Sequence, residues 1–177
     1  MKKIAALIVS CALLLSLCAC SIDPQLVGTT PKKVTDSDTP QSDSNKTFKL
    51  GDVVELDDVT VGFLDVITST GSDYNKPEDG KVFVLCEFEI SNNSSEELAV
   101  SSMLSFDAYC DGYSCSLSLQ ALMEKGDKAQ LDGTVAPGKK MKGVVGYELP
   151  VDWEELEIPY TTDLLEDTAF VFIANTG

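Results

Sequence analysis

Histidine is absent from all 177 residues. That absence excludes hydrolases whose serine or cysteine nucleophile is activated by imidazole, and every zinc site that needs a histidine ligand. Bases are also scarce, with 13 Lys and Arg against 29 Asp and Glu, for a net charge of −16. Nucleic acids and anionic lipid headgroups need a basic face, so both are disfavoured partners. No Ser-x-x-Lys occurs beyond residue 46, which deprives a Ser-Lys hydrolase of a familiar spacing. Adjacent acids such as Glu96-Glu97 and Glu154-Glu155 read as solvated surface charge in place of a general acid and base. After the first twenty residues no apolar run is long enough to span a membrane.

What the chain does contain starts at its first residues. Lys2 and Lys3 precede an uncharged apolar run from Ile4 to Leu17, followed by small residues and a cysteine, which is the anatomy of a signal peptide. The run is shorter than the roughly 20 residues of a spanning helix. Leu17-Cys18-Ala19-Cys20 resembles the bacterial lipobox, in which the cysteine thiol takes a diacylglycerol and the peptidase cuts just before it. Residues 1–19 are therefore expected to be a cleaved lipoprotein signal peptide. Cys20 becomes the lipidated first residue of an exported protein held on the extracellular face of the cell membrane. Two or three acyl chains suffice for stable anchoring, since each buried methylene contributes about 0.8 kcal/mol and one chain alone is marginal.

Residues 20–46 read as a disordered linker: Pro24, Pro31 and Pro40 sit among Ser, Thr, Asp and Lys, with too little apolar surface to offset the entropy of ordering. Residues 47–177 are long enough for one core, and are expected to form a single domain. That domain holds 25 acids and eight bases, all lysines, and so carries a charge near −17. Such a surface is solvated and self-repelling, and attracts cations or a basic partner.

Period-two alternation dominates the domain. Val59, Val61 and Phe63 alternate with Thr60, Gly62 and Leu64. Val82, Val84, Cys86, Phe88 and Ile90 share one face of a strand whose other face carries Phe83, Leu85, Glu87 and Glu89, which predicts a central position. Leu104–Cys110, Met141–Leu149 and Ala169–Ala174 have the same strand character. Asp111-Gly112 suits a type I′ hairpin turn and Ala136-Pro137-Gly138-Lys139 a type II turn. Leu119–Gly126 and Asp152–Leu156 are expected to be short helical turns, the second capped by Asp152 with Glu155 as its reciprocal partner. Together these features predict an all-β antiparallel sandwich or barrel.

The stretch Thr134-Val-Ala-Pro-Gly-Lys-Lys-Met-Lys-Gly-Val-Val-Gly-Tyr-Glu-Leu-Pro150 resembles the most recognisable segment of the Domain of Unknown Function 4352 family. Two further stretches are similar to it in the same order: Gly80 to Asn93, a central strand ending in Asn, and Phe106 to Gly112, a strand ending in an Asp-Gly turn. The resemblance implies an immunoglobulin-like β-sandwich carried on a Gram-positive surface lipoprotein. Its motifs mark turns and core positions and bring no catalytic residue with them. Cysteines at 86, 110 and 115 depart from the family pattern.

Cys110 and Cys115 are candidates for a disulfide. They would stand directly opposite across a four-residue loop but diagonally across a two-residue turn, where two thiols are the alternative. Cys86 reads as a small core hydrophobe, and Trp153 as an anchor plugging one end of the sandwich. The oxygen-rich run Gly71–Gly80 lacks calcium-loop spacing and reads as an inter-strand loop. No catalytic residue, metal ligand or cofactor site is assigned, and no ligand-binding residue can be named. The loops at 68–80, 92–97 and 120–130 are the places where a binding surface is expected.

The function expected from these readings is that of a non-enzymatic binding module. It is held to the membrane through its N-terminal lipid and directed at an unknown protein, envelope component or small ligand. A cation-binding or structural envelope protein is the first alternative, and a hydrolase using surface carboxylates the second.

Overall fold

The computed structural model describes residues 32–34, 47–161 and 170–176. The expected signal peptide, Cys20 and most of the expected linker lie outside the described residues. In chain order the elements are β1 (Lys32–Val34), β2 (Thr47–Lys49), β3 (Val53–Leu56), β4 (Val59–Ser69), β5 (Lys81–Asn92), β6 (Leu98–Val100), β7 (Tyr109–Cys110), β8 (Tyr113–Ser114), α1 (Leu119–Met123), β9 (Gly133–Val135), β10 (Lys139–Pro150), β11 (Glu155–Tyr160) and β12 (Phe170–Asn175). One sheet runs β1-β3-β4-β5-β10 and the other β2-β12-β11-β7-β8, with β6 and β9 forming a separate pair. Every pairing is antiparallel except that of β2 with β12. The protein is a β-sandwich.

Alternation along the strands builds the layer between the sheets. Val82, Val84, Cys86, Phe88 and Ile90 of β5 meet Leu156, Ile158 and Tyr160 of β11 and Phe170, Phe172 and Ala174 of β12 in one buried cluster. Aromatic rings run through it. Phe63 stacks on Phe88 at 4.8 Å, Phe88 lies 5.3 Å from Phe172, and Tyr160 stacks on Phe170 at 5.1 Å. Such pairs add about 0.5–1.5 kcal/mol each beyond area burial.

The outer face of β5 is also covered. Phe83 and Leu85 pack with Val144 against Ala121 and Leu122 of α1. Gly146 makes room for the helix, since a Cβ there would lie 3.1 Å from the Ala121 Cβ and from the Leu122 nitrogen. Ser118 caps α1, its Oγ accepting from Ala121 N–H at 3.1 Å. Farther along the same outer face the buried Glu87 carboxylate pairs with Lys128 at 2.8 Å and Lys142 at 3.5 Å.

Strands appear at 59–69, 81–92, 139–150 and 170–175, where alternation predicts them, and β5 is central as expected. In β4 the register shifts between Phe63 and Asp65, so Leu64 is an extra residue turned outward. Asp111 (φ 49) and Gly112 (φ 79) both take the positive φ of a type I′ turn. Lys139 N–H closes the Ala136–Lys139 turn at 3.0 Å.

Three expectations are corrected. Asp152–Leu156 is not helical: Val151 and Asp152 form a turn, and Leu156 already lies in β11, where Leu156, Ile158 and Tyr160 point inward at period two. Leu104–Cys110 is a strand only at its end, because Ser105 N–H folds back on Ser101 C=O at 2.8 Å and Phe106 makes an isolated bridge to Tyr160. Finally, Lys32–Val34, inside the span read as linker, pairs with β3 as an edge strand.

Candidate functional site

A two-residue turn fixes the neighbourhood of the cysteines. Tyr109 lies opposite Ser114 and Cys110 opposite Tyr113, while Cys115 N–H bonds Ala108 C=O at 2.9 Å. Cys110 and Cys115 are therefore diagonal, a register that disfavours the expected disulfide, and both stand as free cysteines in the structure. Burial pushes the Cys115 thiol up to about 11 and the Cys110 thiol up to about 12. Cys86, fully enclosed between the sheets as a core residue, is raised further by the same cause. Nucleophilic chemistry needs thiolate, and these surroundings oppose it.

The Asp111 carboxylate ties this turn to the start of β11. Oδ1 accepts from Glu155 N–H at 2.8 Å and Glu154 N–H at 3.1 Å. The bond from Glu155, reinforced by that from Glu154, holds the Asp111 carboxyl below its ordinary range although partial desolvation opposes it. Trp153, between that junction and Pro150, is buried in the core, as an anchor should be.

These contacts shape a cleft of about 730 Å³ at the end of the sandwich where β5 begins and β10 ends. Cys110, Cys115, Leu149 and Pro150 supply apolar lining, and Lys81, Asp111, Glu148, Asp152 and Glu154 supply charge. Three of the charged groups are engaged. Asp111 accepts from the backbone as above, Glu148 Oε1 accepts from Glu78 N–H at 2.7 Å, and Lys81 pairs with Glu78. Their mutual hydrogen bond holds the Glu78 carboxyl below and the Lys81 ammonium above their ordinary values. The side chains of Asp152 and Glu154 make no bond to any described residue, and beside them Tyr113 is 80% and Val151 64% exposed. Behind the cleft, on the face of β10 that also carries Leu149, the Tyr147 hydroxyl is buried without a hydrogen-bond partner among the described residues.

Of the three loops singled out from the sequence, two come together. Asn75 Nδ2 donates to Gln120 C=O at 2.8 Å and to Glu124 Oε1 at 2.6 Å, joining 68–80 to 120–130. Gly71 is required there, since its φ is +80° and a Cβ would lie 2.2 Å from Asn75 O. The 92–97 loop sits at the opposite end of β5, organised by the fully buried Asn92, whose Nδ2 donates to Glu96 C=O at 2.7 Å and Val135 C=O at 2.8 Å. Sequence reasoning missed the cleft itself. Asp111-Gly112 and Trp153 were legible as a turn and an anchor, but nothing local says that they adjoin.

Among the described residues no three of His, Cys, Asp and Glu converge to hold a metal ion. Nor is any described helix long and apolar enough to cross a membrane.

The two five-stranded sheets, covered on one outer face by a short helix and carrying motifs at turns and strand ends, define a β-sandwich. The chain belongs to the family called Domain of unknown function (DUF4352), which it matches over residues 48–170. Its fold is similar to that of ycdA, a candidate lipoprotein of Bacillus subtilis, with a TM-score of 0.55 and 21% identity over 67% of this chain and 37% of that one. The chain thus matches little more than a third of ycdA. It is similar also to the yjhA protein of Bacillus subtilis, with a TM-score of 0.50 and 14% identity over 71% of this chain and 97% of that one. No curated protein matches it.

Proposed function

We propose that this protein is a non-enzymatic binding module, anchored through lipid on Cys20 to the extracellular face of the cell membrane, and that the cleft beside the Asp111 turn is its ligand-facing surface. The observation that carries this reading is the pairing of an apolar floor with the unengaged carboxylates of Asp152 and Glu154 and the exposed ring of Tyr113. A cationic group on an apolar stem, such as a lysine side chain, satisfies all three at once: methylenes on the floor, ammonium on the carboxylates, and the ring face near the charge. Binding in place of catalysis is supported by the thiols' raised pKa values, by the backbone donors that occupy Asp111, and by the absence of histidine. The anchor is supported by the lipobox and by the description of ycdA as a candidate lipoprotein.

The test is a titration of the chain from Ser21 onward with a short oligolysine amide, followed by backbone NMR. Shifts confined to 110–116 and 148–154, saturating and weakened at least about tenfold in Asp152→Asn/Glu154→Gln, are the expected outcome. Shifts spread evenly over the acidic surface, or none, would overturn it.

A further inference from the structure

The first described residues after Cys20, Lys32–Val34, are built into the sandwich. Lys32 stands opposite Glu55, Lys33 opposite Val54 and Val34 opposite Val53, closing the β3 edge of the first sheet. All three β1 side chains are exposed, so apolar burial contributes little to holding the strand. Ladder bonds and charge must hold it instead. Lys33 Nζ lies 2.6 Å from Asp52 Oδ1, and the other oxygen of Asp52 accepts from Lys49 N–H at 3.0 Å, which presets the carboxylate. A basic strand therefore meets an acidic edge of a domain with 25 acids and eight lysines. Without β1, that edge would present unpaired backbone groups.

We infer that β1 is a strap that sets how far the sandwich stands from the membrane: docked, it keeps the β3 edge close to the anchor, and displaced, it lets the domain reach outward. The inference rests on the lipid at Cys20 proposed above. From Cys20 to Lys32 is twelve residues, a reach of at most about 40 Å, whereas from Cys20 to Thr47 is 27 residues, at most about 95 Å. Exposed ion pairs weaken as salt shortens the Debye length, from about 10 Å at 0.1 M to about 3 Å at 1 M, so docking is sensitive to ionic strength.

The test uses the full lipoprotein in supported bilayers of phosphatidylcholine, whose neutral headgroups do not compete for Lys32 and Lys33. Neutron reflectometry reads the outer edge of the protein layer, and hydrogen exchange reads the amides of β1 and β3. The K32E/K33E variant sets like charge against Glu55 and Asp52. Expected are a layer extending at least about 10 Å farther in the variant than in the wild type at about 0.1 M salt, and exchange of the β1 amides that face β3 at least about tenfold faster. The wild-type layer should move outward at about 1 M salt. Identical layers at both salt concentrations, or wild-type β1 amides exchanging at the variant's rate, overturn the strap. Exchange needs no lipid: should Cys20→Ser bind the bilayer as the wild type does, the anchor reading fails, and exchange in the unanchored chain still decides whether β1 docks.

Discussion

Asp111 and Glu155 are joined twice. The Asp111 N–H donates to Glu155 C=O at 2.9 Å, and the Glu155 N–H donates to Asp111 Oδ1 at 2.8 Å. One side chain at the first position of a hairpin turn thus closes the ladder between β7 and β11 and forms one wall of the cleft.

The charge on Asp111 is what its replacement by Asn should remove, since Asn also tolerates the positive φ of the turn. Its carboxyl is held below the ordinary range first by the Glu155 N–H, so its stabilisation is present above the unfolded carboxyl value and lost as pH falls through the folded one. Asp111→Asn should lower Tm at pH 7, and the gap to wild type should close on acidification below about pH 4. A gap independent of pH would show that the charge contributes nothing.

Tyr147 carries a buried hydroxyl with no partner among the described residues, and burial raises its pKa well above the ordinary phenol value. Desolvating such a group without a compensating bond is unfavourable, so Tyr147→Phe should stabilise the protein by about 1 kcal/mol. Urea unfolding with an unchanged slope is the measurement. A loss of stability would mean that the hydroxyl finds a partner, such as an ordered water.

Asn92 is fully buried and its side chain makes four hydrogen bonds: two donated to Glu96 and Val135 carbonyls, two accepted from the N–H and hydroxyl of Ser94. Asn92→Ala removes the donor to the buried Val135 carbonyl, while the Glu96 carbonyl keeps Ser94 Oγ at 3.0 Å, and should cost about 2 kcal/mol. The loss should appear in the unfolding midpoint, with faster amide exchange through 93–100.

Cys86, Cys110 and Cys115 should resist alkylation in the folded chain. With thiols at about 11 and about 12, reaction at pH 8 should be at least on the order of a hundredfold slower than for a free cysteine, and Cys115, the most exposed of the three, should react first. Unfolding the chain from Ser21 onward without reductant should release three thiols. Release of only one would establish the disulfide that the diagonal register disfavours.

Much of the architecture is legible in single segments. Val82 to Ile90 alternates so regularly that its strand and its central place follow from composition, and the Asp-Gly and Pro-Gly dipeptides mark their turns because few residues tolerate positive φ. The segments that misled are those whose local signals compete. Asp152-Trp-Glu-Glu155 has the spacing of a capping box, but Leu156 and Ile158 gain more from facing the core at period two than the segment gains from a helical turn. β3, β6 and β9 are too short for alternation to stand out.

The sequence by itself determined the class of this protein: an acidic, histidine-free chain whose period-two patterns allow an antiparallel sandwich or barrel and little else. Periodicity and turn chemistry act between near neighbours, and so survive in the order of residues. Only the tertiary structure decided that the 109–114 hairpin meets the 150–155 junction to enclose a cleft, that Cys110 and Cys115 are diagonal, that α1 lies over Gly146, and that Lys32–Val34 closes the β3 edge. Each of these depends on register and contact between segments far apart in the chain, where the free energy belongs to the pair and neither member carries it alone.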